Sequence, residues 1–321
     1  MIPRRVLFST PLLSMPLLVM TARAQAAPRR IAVLALTARA IELLREYLLP
    51  ELARRNLREG ASFTLEPFVA GARLQPQAAA EAVRRAPDAI VAISGPAIEA
   101  ARQATTTIPI VMFGADFRVL AGTSMARPGS NTTGVALNTV ESEVKRVELA
   151  AELTPDASVV GVLFYRDTIG QEQREAAMRR SAEGIGRALR VYGIGEAGEF
   201  RAALAAMRRD GVGAVVLGGT PETLGDIRLL AAQAREAGIA TVCLFGIMVE
   251  EGCMLSHGPS IAAIYQRIGH HLALVLRGVA PADIPIEAPT RVETVINLRI
   301  AEAIGLAVPI PVLARADLVL D

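Results

Sequence analysis

The chain is poor in the residues that catalytic and metal sites most often use. Its 321 residues include no tryptophan, three histidines and two cysteines, and aromatic residues make up 4%. His270 and His271 are adjacent on an apolar helical segment, where neighbours face different directions and do not chelate jointly, and His257 stands alone. None of the three belongs to a metal-ligand spacing or to a Gly-x-Ser-x-Gly elbow. We therefore expect no catalytic residue, no bound metal and no cofactor.

Two cysteines, Cys243 and Cys253, are too few for a disulfide framework. They follow two successive β segments that can place them side by side, so they could pair in an oxidising compartment. We favour two separate buried thiols. A bridge between them stays open as the alternative.

An excess of charge of one sign is also missing, because 34 basic residues face 32 acidic ones. Three of the basic residues, Arg4, Arg5 and Arg23, lie in an N-terminal segment that we expect to be removed, which leaves a slight acidic excess. No run of basic residues is suited to follow a phosphate backbone. Nucleic acid is therefore not an expected partner.

Residues 1–26 resemble a secretory signal peptide rather than part of the fold. Two arginines precede an apolar run over residues 6–20, and the small residues of 22–26 fit a cleavage site. Two prolines interrupt this run, which is short for a membrane span; an uncleaved anchor is the alternative. We predict export to the periplasm as a soluble protein, by either the Sec or the twin-arginine route.

The rest of the sequence alternates short apolar runs with amphipathic segments, and the pattern restarts near residues 138–141. A hydrophobic content of 52% with few aromatics suits parallel sheets covered by Ala-rich helices. We predict an α/β fold of two doubly wound parallel-sheet lobes joined by hinge crossovers. The first lobe would comprise 27–138 plus about 259–289, and the second, with the hinge, 139–258 plus about 290–321.

One glycine motif resembles a dinucleotide-binding fingerprint. Residues 193–198 match Gly-x-Gly-x-x-Gly between a strand and a helix, but the next strand ends at Gly218-Gly219-Thr220, without the acidic residue that would bind a ribose. We interpret these glycines as a turn and a helix start.

The central stretch, residues 88–137, predicts half of a ligand cleft. A buried strand over 89–93 is followed by Ser94-Gly95-Pro96-Ala97, which start a helix at the carboxyl end of that strand. Backbone N–H groups and the helix dipole favour a carboxylate or phosphate there. The alternative is that Ser94 only caps its helix.

Other predicted strand ends carry residues that could face the same cleft, since ligands of doubly wound sheets bind at the carboxyl ends of the strands. We expect N–H groups at 94–97 to bind a carboxylate, one of two aspartates to bind an amine, and aromatic side chains to form an apolar wall. The candidates are Thr37, Ser94, Gly95, Pro96, Ala97, Phe113, Asp116 and Phe117 in the first lobe and Tyr165, Asp167, Gly219, Thr220 and Phe245 in the second.

Several long segments resemble the family of periplasmic substrate-binding proteins of ABC transporters that includes tryptophan and tyrosine uptake proteins. They occur in the family's order and cover the chain from about residue 30 to 321: SGPAIEAARQATTTIPIVM, ARPGSNTTGVAL, FGIMVEEGCMLSHGPSIAAIYQR, APADIPIEAPTRVETVINLRIAEAIGL and LARADLVLD. The resemblance implies a type I periplasmic binding protein fold with three hinge crossings, no catalysis, and a small ligand between the lobes. It also implies that residues 94–97, 114–116 and 245–251 border the cleft.

The chain departs from the family at three places. Residues 115–119 read ADFRV where a Gly-Asp-Pro-Val-Gly loop is usual, His257 replaces a common tyrosine, and Arg166-Asp167-Thr168 replaces an Asn-rich turn. These departures leave the ligand open. We predict a monomeric receptor that carries an amino acid or other small carboxylate to the membrane permease of an ABC importer; the alternative is a periplasmic sensor feeding a membrane kinase or chemoreceptor.

Overall fold

A computed structural model describes residues 27–114, 124–137, 139–166 and 170–321. In these ranges the chain forms two β-sheets with helices on both faces of each. The strands of the first sheet are β1 (Arg29–Ala35), β2 (Phe63–Val69), β3 (Ala89–Ile93), β4 (Ile110–Phe113) and β5 (Thr132–Val135). They are all parallel, in the spatial order β2-β1-β3-β4-β5. All five residues of β3 are buried, because helices cover both faces of this sheet.

The helices of the first half lie on opposite faces of this sheet. They are α1 (Ala38–Leu43), a π-helical turn (Leu44–Leu48), α2 (Leu49–Arg54), α3 (Gln75–Arg84) and α4 (Gly95–Ala104). Helices α3 and α4 pack on each other and on the core that contains Ile90 and Met112. The segment from α1 to α2 covers the other face, with Leu43, Leu44 and Leu48 fully buried.

The second sheet contains β6 (Val159–Tyr165), β7 (Ala188–Ile194), β8 (Val212–Leu217), β9 (Ala240–Cys243), β10 (Leu255–Pro259), β11 (Val292–Asn297) and β12 (Leu318–Leu320). Its spatial order is β12-β11-β10-β9-β8-β6-β7. The two-lobed α/β class predicted from the sequence is confirmed, with one correction. Strand β11 runs antiparallel to β10, so this sheet is mixed at one side.

Helices also cover both faces of the second sheet. They are α5 (Thr139–Leu153), α6 (Gln171–Gly184), α7 (Phe200–Arg209), α8 (Pro221–Gly225), α9 (Ile227–Glu236), α10 (Gly246–Glu250), α12 (Leu298–Ala303) and α13 (Ile310–Leu313). Helix α11 (Ile261–Leu276) packs on the first sheet instead. Helices α5 and α6 pack on each other and share a core with Phe164, whereas α7 and α9 pack together in a core with Leu163 and Leu217. No helix in the described ranges is both long and apolar enough to cross a membrane.

The chain passes three times between the two sheets. It first leaves β5 for α5, and it returns between β10 and α11, because α11 packs on β4 and β5. Residues 284–287 then run beside β5: the Glu287 N–H donates to the Gly134 carbonyl (2.9 Å), and the Ala136 N–H donates to the Glu287 carbonyl (2.8 Å). The third passage leads from there to β11. The exact lobe boundaries stay a proposal.

The Gly-rich segment after β7 is filled by protein side chains. The Arg166 guanidinium and Glu199 carboxylate form an ion pair (2.5 Å), and Glu199 also accepts a hydrogen bond from the Gly195 N–H (3.2 Å). A Cβ on Gly195 would lie 2.9 Å from Arg166 Nη1, so a side chain there would collide with this pair. The segment thus leads into α7 through a short 3₁₀ turn, Ala197–Glu199.

Cys243 and Cys253 form a disulfide, with a Cα–Cα separation of 6.7 Å. Our preference for two separate thiols is therefore wrong. The reason is the short helix α10, after which the Cys253 N–H donates back to the Met248 carbonyl (2.9 Å) and brings Cys253 beside the end of β9. Both cysteines are fully buried. The closed loop carries Phe245 and Glu251, and Glu251 contacts Arg39 of the first lobe.

Reduction of this disulfide should destabilise the protein by about 3 kcal/mol, because the unfolded chain regains the freedom that the crosslink removes from a ten-residue separation. Urea unfolding of the wild-type protein with and without dithiothreitol measures the difference. The reduced wild type is the proper comparison, since it keeps both sulfur atoms in the core. Identical midpoints in the two conditions would contradict a crosslink.

Candidate functional site

The carboxyl ends of the two sets of parallel strands lie against each other. Thr37 follows β1, and its Cγ2 atom lies 3.4 Å from the position that a Cβ would take on Gly225, at the end of α8 in the second lobe. Helices α1 and α8 are therefore in contact, and the lobes touch across the strand ends. Doubly wound sheets bind ligands at this edge.

Ser94 occupies the N-cap position of α4, but its backbone has φ +94°, an unusual value for a residue with a side chain. Its N–H donates to the Phe113 carbonyl (2.7 Å), and a Cβ on Gly114 would lie 3.3 Å from its Cα. The Ser94 hydroxyl oxygen is buried and has no hydrogen-bond partner among the described residues. The alternative that Ser94 merely caps the helix is thus not supported, because its side chain accepts no capping bond.

Gly95, Pro96 and Ala97 form the first turn of α4, as the sequence predicts. The first N–H groups of any helix have no partner within the helix, and here no side-chain cap takes their place. Two of these donors, at Gly95 and Ala97, begin the helix directly after the carboxyl end of β3. The geometry suits an anionic group.

Three predicted aromatic residues are core residues at strand ends. Phe113 at the end of β4, Tyr165 at the end of β6 and Phe245 after β9 are all buried and belong to a hydrophobic core that continues from the first lobe into the second. Phe113 also packs edge-on against Tyr265 of α11, with ring centroids 5.5 Å apart. Burial raises the pKa of Tyr265 above its ordinary value.

Tyr165 and the glycine-threonine turn after β8 have partners inside the second lobe. The Tyr165 hydroxyl donates to Asp226 Oδ2 (2.5 Å), and burial together with this carboxylate raises the pKa of Tyr165. The Thr220 hydroxyl caps α8 by accepting from the Thr223 N–H (3.2 Å). A Cβ on Gly219 would lie 2.8 Å from Leu244 Cδ2, so the glycine makes room for that leucine. A ligand role for these residues stays a prediction.

Asp116, Phe117 and Asp167 lie outside the described residues. Their predicted contacts with an amine or with the apolar wall therefore stay predictions as well.

An ion pair that the sequence did not suggest joins the lobes. Arg39 of α1 donates through Nη2 to Glu251 Oε1, which follows α10, at 2.6 Å. The Arg39 side chain is 20% exposed and that of Glu251 9%, so the pair is shielded from water. Arg228 of α9 adds a longer contact to the same oxygen (3.4 Å). The disulfide-closed loop of the second lobe is thereby tied to the first.

A cavity of about 300 Å³ lies where the three passages between the sheets meet. Its walls come from the end of β5, the start of α5, the end of β9, and the chain on either side of α11. None of the ten predicted site residues that the structure describes lines it. The lining residues are Leu137, Glu141, Ser142, Leu244, His257, Pro259, Ala288, Pro289 and Val292. We name it the hinge cavity.

His257 is a polar residue of the cavity wall, as are Glu141 and Ser142. Its Nδ1 lies 2.9 Å from Thr294 Oγ1, and its carbonyl accepts a hydrogen bond from the Ser142 hydroxyl (3.2 Å). Burial, and then the positive charges of Arg146 and Lys145, lower the pKa of His257. The imidazole is therefore neutral at neutral pH.

Two α/β lobes whose strand ends meet across an apolar cluster, with a chain that passes three times between them, define a two-lobed small-molecule binding protein. The sequence match makes the family specific: residues 71–320 match the model of the ABC transporter substrate binding protein family, so the chain belongs to that family. Its members are substrate-binding proteins rather than enzymes.

Known relatives are similar over most of the chain. A tyrosine-binding protein of Clostridioides difficile strain R20291 is 28% identical over 220 residues, which span 65% of this chain and 61% of that protein, less than two thirds of its length. A Streptococcus pneumoniae ABC domain in complex with L-Trp has a TM-score of 0.79 at 21% identity, covering 92% of this chain and 100% of that one. A conserved domain protein from Vibrio cholerae has a TM-score of 0.80 at 24% identity, covering 91% and 99%.

Replacing Arg39 by alanine should loosen the contact between the lobes. We expect the radius of gyration of the ligand-free protein in solution scattering to increase, and the free energy of unfolding to fall by about 1 kcal/mol, as for a partly exposed ion pair. Arg45→Ala is the matched control, because Arg45 pairs with Glu59 (2.9 Å) within the first lobe. Equal scattering profiles for Arg39→Ala and Arg45→Ala would show that Arg39 does not hold the lobes together.

Proposed function

We propose that this protein is an exported, monomeric receptor that binds an amino acid between its lobes and delivers it to the membrane permease of an ABC importer. The observation that carries the proposal is the uncapped start of α4 at the carboxyl end of β3, together with Phe113, Tyr165 and Phe245 at strand ends in the hydrophobic core that the two lobes share. Such a site combines an apolar wall with a few placed polar groups, as small-molecule sites commonly do. The family membership supports delivery to a transporter.

Each end of an amino acid has a proposed partner. The N–H groups at Gly95 and Ala97 bind its carboxylate, since a helix start presents donors and a positive dipole end to anions. The ammonium group binds Asp116 or Asp167. Closing the lobes around the solute completes both sets of contacts, so binding favours the closed state.

The side chain of the bound amino acid is proposed to be aromatic. The relative from Clostridioides difficile is named for tyrosine, and the Streptococcus pneumoniae structure holds L-Trp. Aromatic rings pack favourably on other aromatic rings, and Phe245 and Tyr165 offer such surfaces from the second lobe. We therefore propose L-tyrosine or L-tryptophan ahead of aliphatic amino acids.

L-Tyrosine or L-tryptophan should raise the melting temperature of the wild-type protein. At a free concentration a hundred times Kd, one bound ligand adds about 2.7 kcal/mol of stability. Phe245→Leu should weaken binding by about fivefold in calorimetry, because an aromatic contact of about 1 kcal/mol is lost. Phe63→Leu is the control, since Phe63 is equally apolar and buried but lies at the start of β2.

If no aromatic amino acid shifts the melting temperature, the proposed solute is wrong. If Phe245→Leu and Phe63→Leu bind alike, the aromatic wall has no part in recognition.

Export is proposed from residues 1–26, and members of the family generally face the outside of the cell. The full-length protein recovered from the periplasm should have the mass of a chain cleaved after Ala24 or Ala26, as intact-mass spectrometry would measure. Recovery of the uncleaved chain in the membrane fraction would favour an anchor instead.

A further inference from the structure

Beneath the hinge cavity lies a buried group of three charged residues. Glu143 and Arg146 of α5 are 1% and 0% exposed, and Arg174 of α6 is 8% exposed. Arg174 binds both oxygens of Glu143, through Nε at 2.8 Å and through Nη2, and its guanidinium lies over the Phe164 ring, 4.8 Å from the centroid. One carboxylate thus faces two guanidinium groups, and the group carries a net positive charge.

Arg146 is the residue of this group whose positive charge is not balanced by a carboxylate of its own. Its contact with Glu143 is at 3.5 Å, a separation between charges rather than a hydrogen bond, and that carboxylate is already bound by Arg174. Nε, Nη1 and Nη2 of Arg146 are all buried without a hydrogen-bond partner among the described residues. Buried arginines are normally paired on most of their five donors. Burial lowers the pKa of Arg146 to about 10, which still leaves it charged at neutral pH.

The guanidinium lies directly behind the cavity wall. Ser142, one helical turn before Arg146 on α5, lines the cavity. A Cβ on Gly219 would be 3.8 Å from Arg146 Nη2 and 2.8 Å from Leu244 Cδ2, so Gly219 lies close to both the guanidinium and Leu244, another wall residue. The charge of Arg146 also lowers the pKa of His257, another residue of the cavity wall.

We propose that the hinge cavity is a carboxylate subsite in which Arg146 is the counter-ion. The carboxylate enters between Leu244 and His257, displaces the Leu244 side chain, and takes two hydrogen bonds from the planar fork of the guanidinium. The remaining wall is apolar and suits a short hydrocarbon body. Glu141 stands exposed at the rim, where it disfavours an anion less than a buried carboxylate would.

Two sources of the carboxylate are compatible with this chemistry. It is either a second acidic group on the solute that the α4 start holds, or a separate small carboxylate. The first source rests on the proposed amino-acid site but requires an acidic amino acid there in place of L-tyrosine or L-tryptophan, and the second does not rest on that site. Probes that differ in the number of carboxylates distinguish them.

The decisive variant is Arg146→Met, which removes the charge and keeps the length of an apolar chain. A buried charge without partners destabilises a fold, so the ligand-free variant should melt at the same or a higher temperature than wild type. Its stabilisation by carboxylates should be lost. A residue retained only for packing would not show this combination of unchanged folding and lost binding.

The experiment measures melting temperature and calorimetric affinity for succinate, L-glutamate, L-tryptophan and acetate with wild type, Arg146→Met and Lys145→Met. Lys145→Met is the matched control, because it removes one positive charge from the neighbouring, partly exposed position. We expect succinate or L-glutamate to bind wild type and Lys145→Met equally and Arg146→Met at least tenfold more weakly. Succinate or acetate binding without L-glutamate or L-tryptophan binding would identify a separate carboxylate, and would leave the subsite standing while the proposed amino-acid function fails.

Two results overturn the subsite: equal carboxylate binding by Arg146→Met and wild type, or no carboxylate binding by wild type at all. If Arg146→Met does not fold, Arg146→Lys replaces it. Lysine keeps the charge but not the bidentate fork, so the variant should fold and bind carboxylates more weakly. Unchanged affinity in Arg146→Lys would then overturn the proposal.

Discussion

The connection of two sheets by three passages of one chain is the constraint on which the rest of the structure depends. Backbone hydrogen bonds tie both ends of the third passage to a sheet: residues 284–287 to β5, and β11 to β10. Because both ends are tied, only the few residues between them can change conformation when the lobes move. Those residues also form the walls of the hinge cavity, so any occupant of the cavity would contact the parts of the chain that bend.

Polar groups around the lobes fall into two sets. Arg39 with Glu251, and Tyr165 with Asp226, have partners and hold loops in place. The Ser94 hydroxyl and the Arg146 guanidinium are buried without hydrogen-bond partners in the described ranges. Buried polar groups are nearly always satisfied in folded proteins, so each exception calls for an explanation. Gln75, Ser256 and His271 also have buried polar atoms without a partner in the described ranges, so the missing partner alone does not mark a ligand site.

The architecture was readable from the sequence because its signals are local. Uninterrupted apolar runs such as residues 89–93 predicted strands buried on both faces, and Ser94 to Ala97 predicted the start of α4. The antiparallel β10–β11 pairing, the hinge cavity and the Arg39–Glu251 pair could not be predicted, since each joins residues far apart in sequence. The prediction of two separate thiols was wrong for a similar reason, because the short helix α10 determines whether the two cysteines come together. The spacing of Glu143 and Arg146 in the sequence does not predict that the Glu143 carboxylate binds Arg174 instead of Arg146.

The disulfide makes the newly synthesised protein differ from the exported one. Thiols are kept reduced in the cytosol, so a newly made copy lacks this covalent bond. The segment between Cys243 and Cys253 is therefore not crosslinked at first, and the reduced precursor unfolds more readily than the oxidised protein. A chain exported as proposed would cross the membrane before the disulfide forms. Only afterwards would the crosslink fix the loop whose Glu251 contacts Arg39.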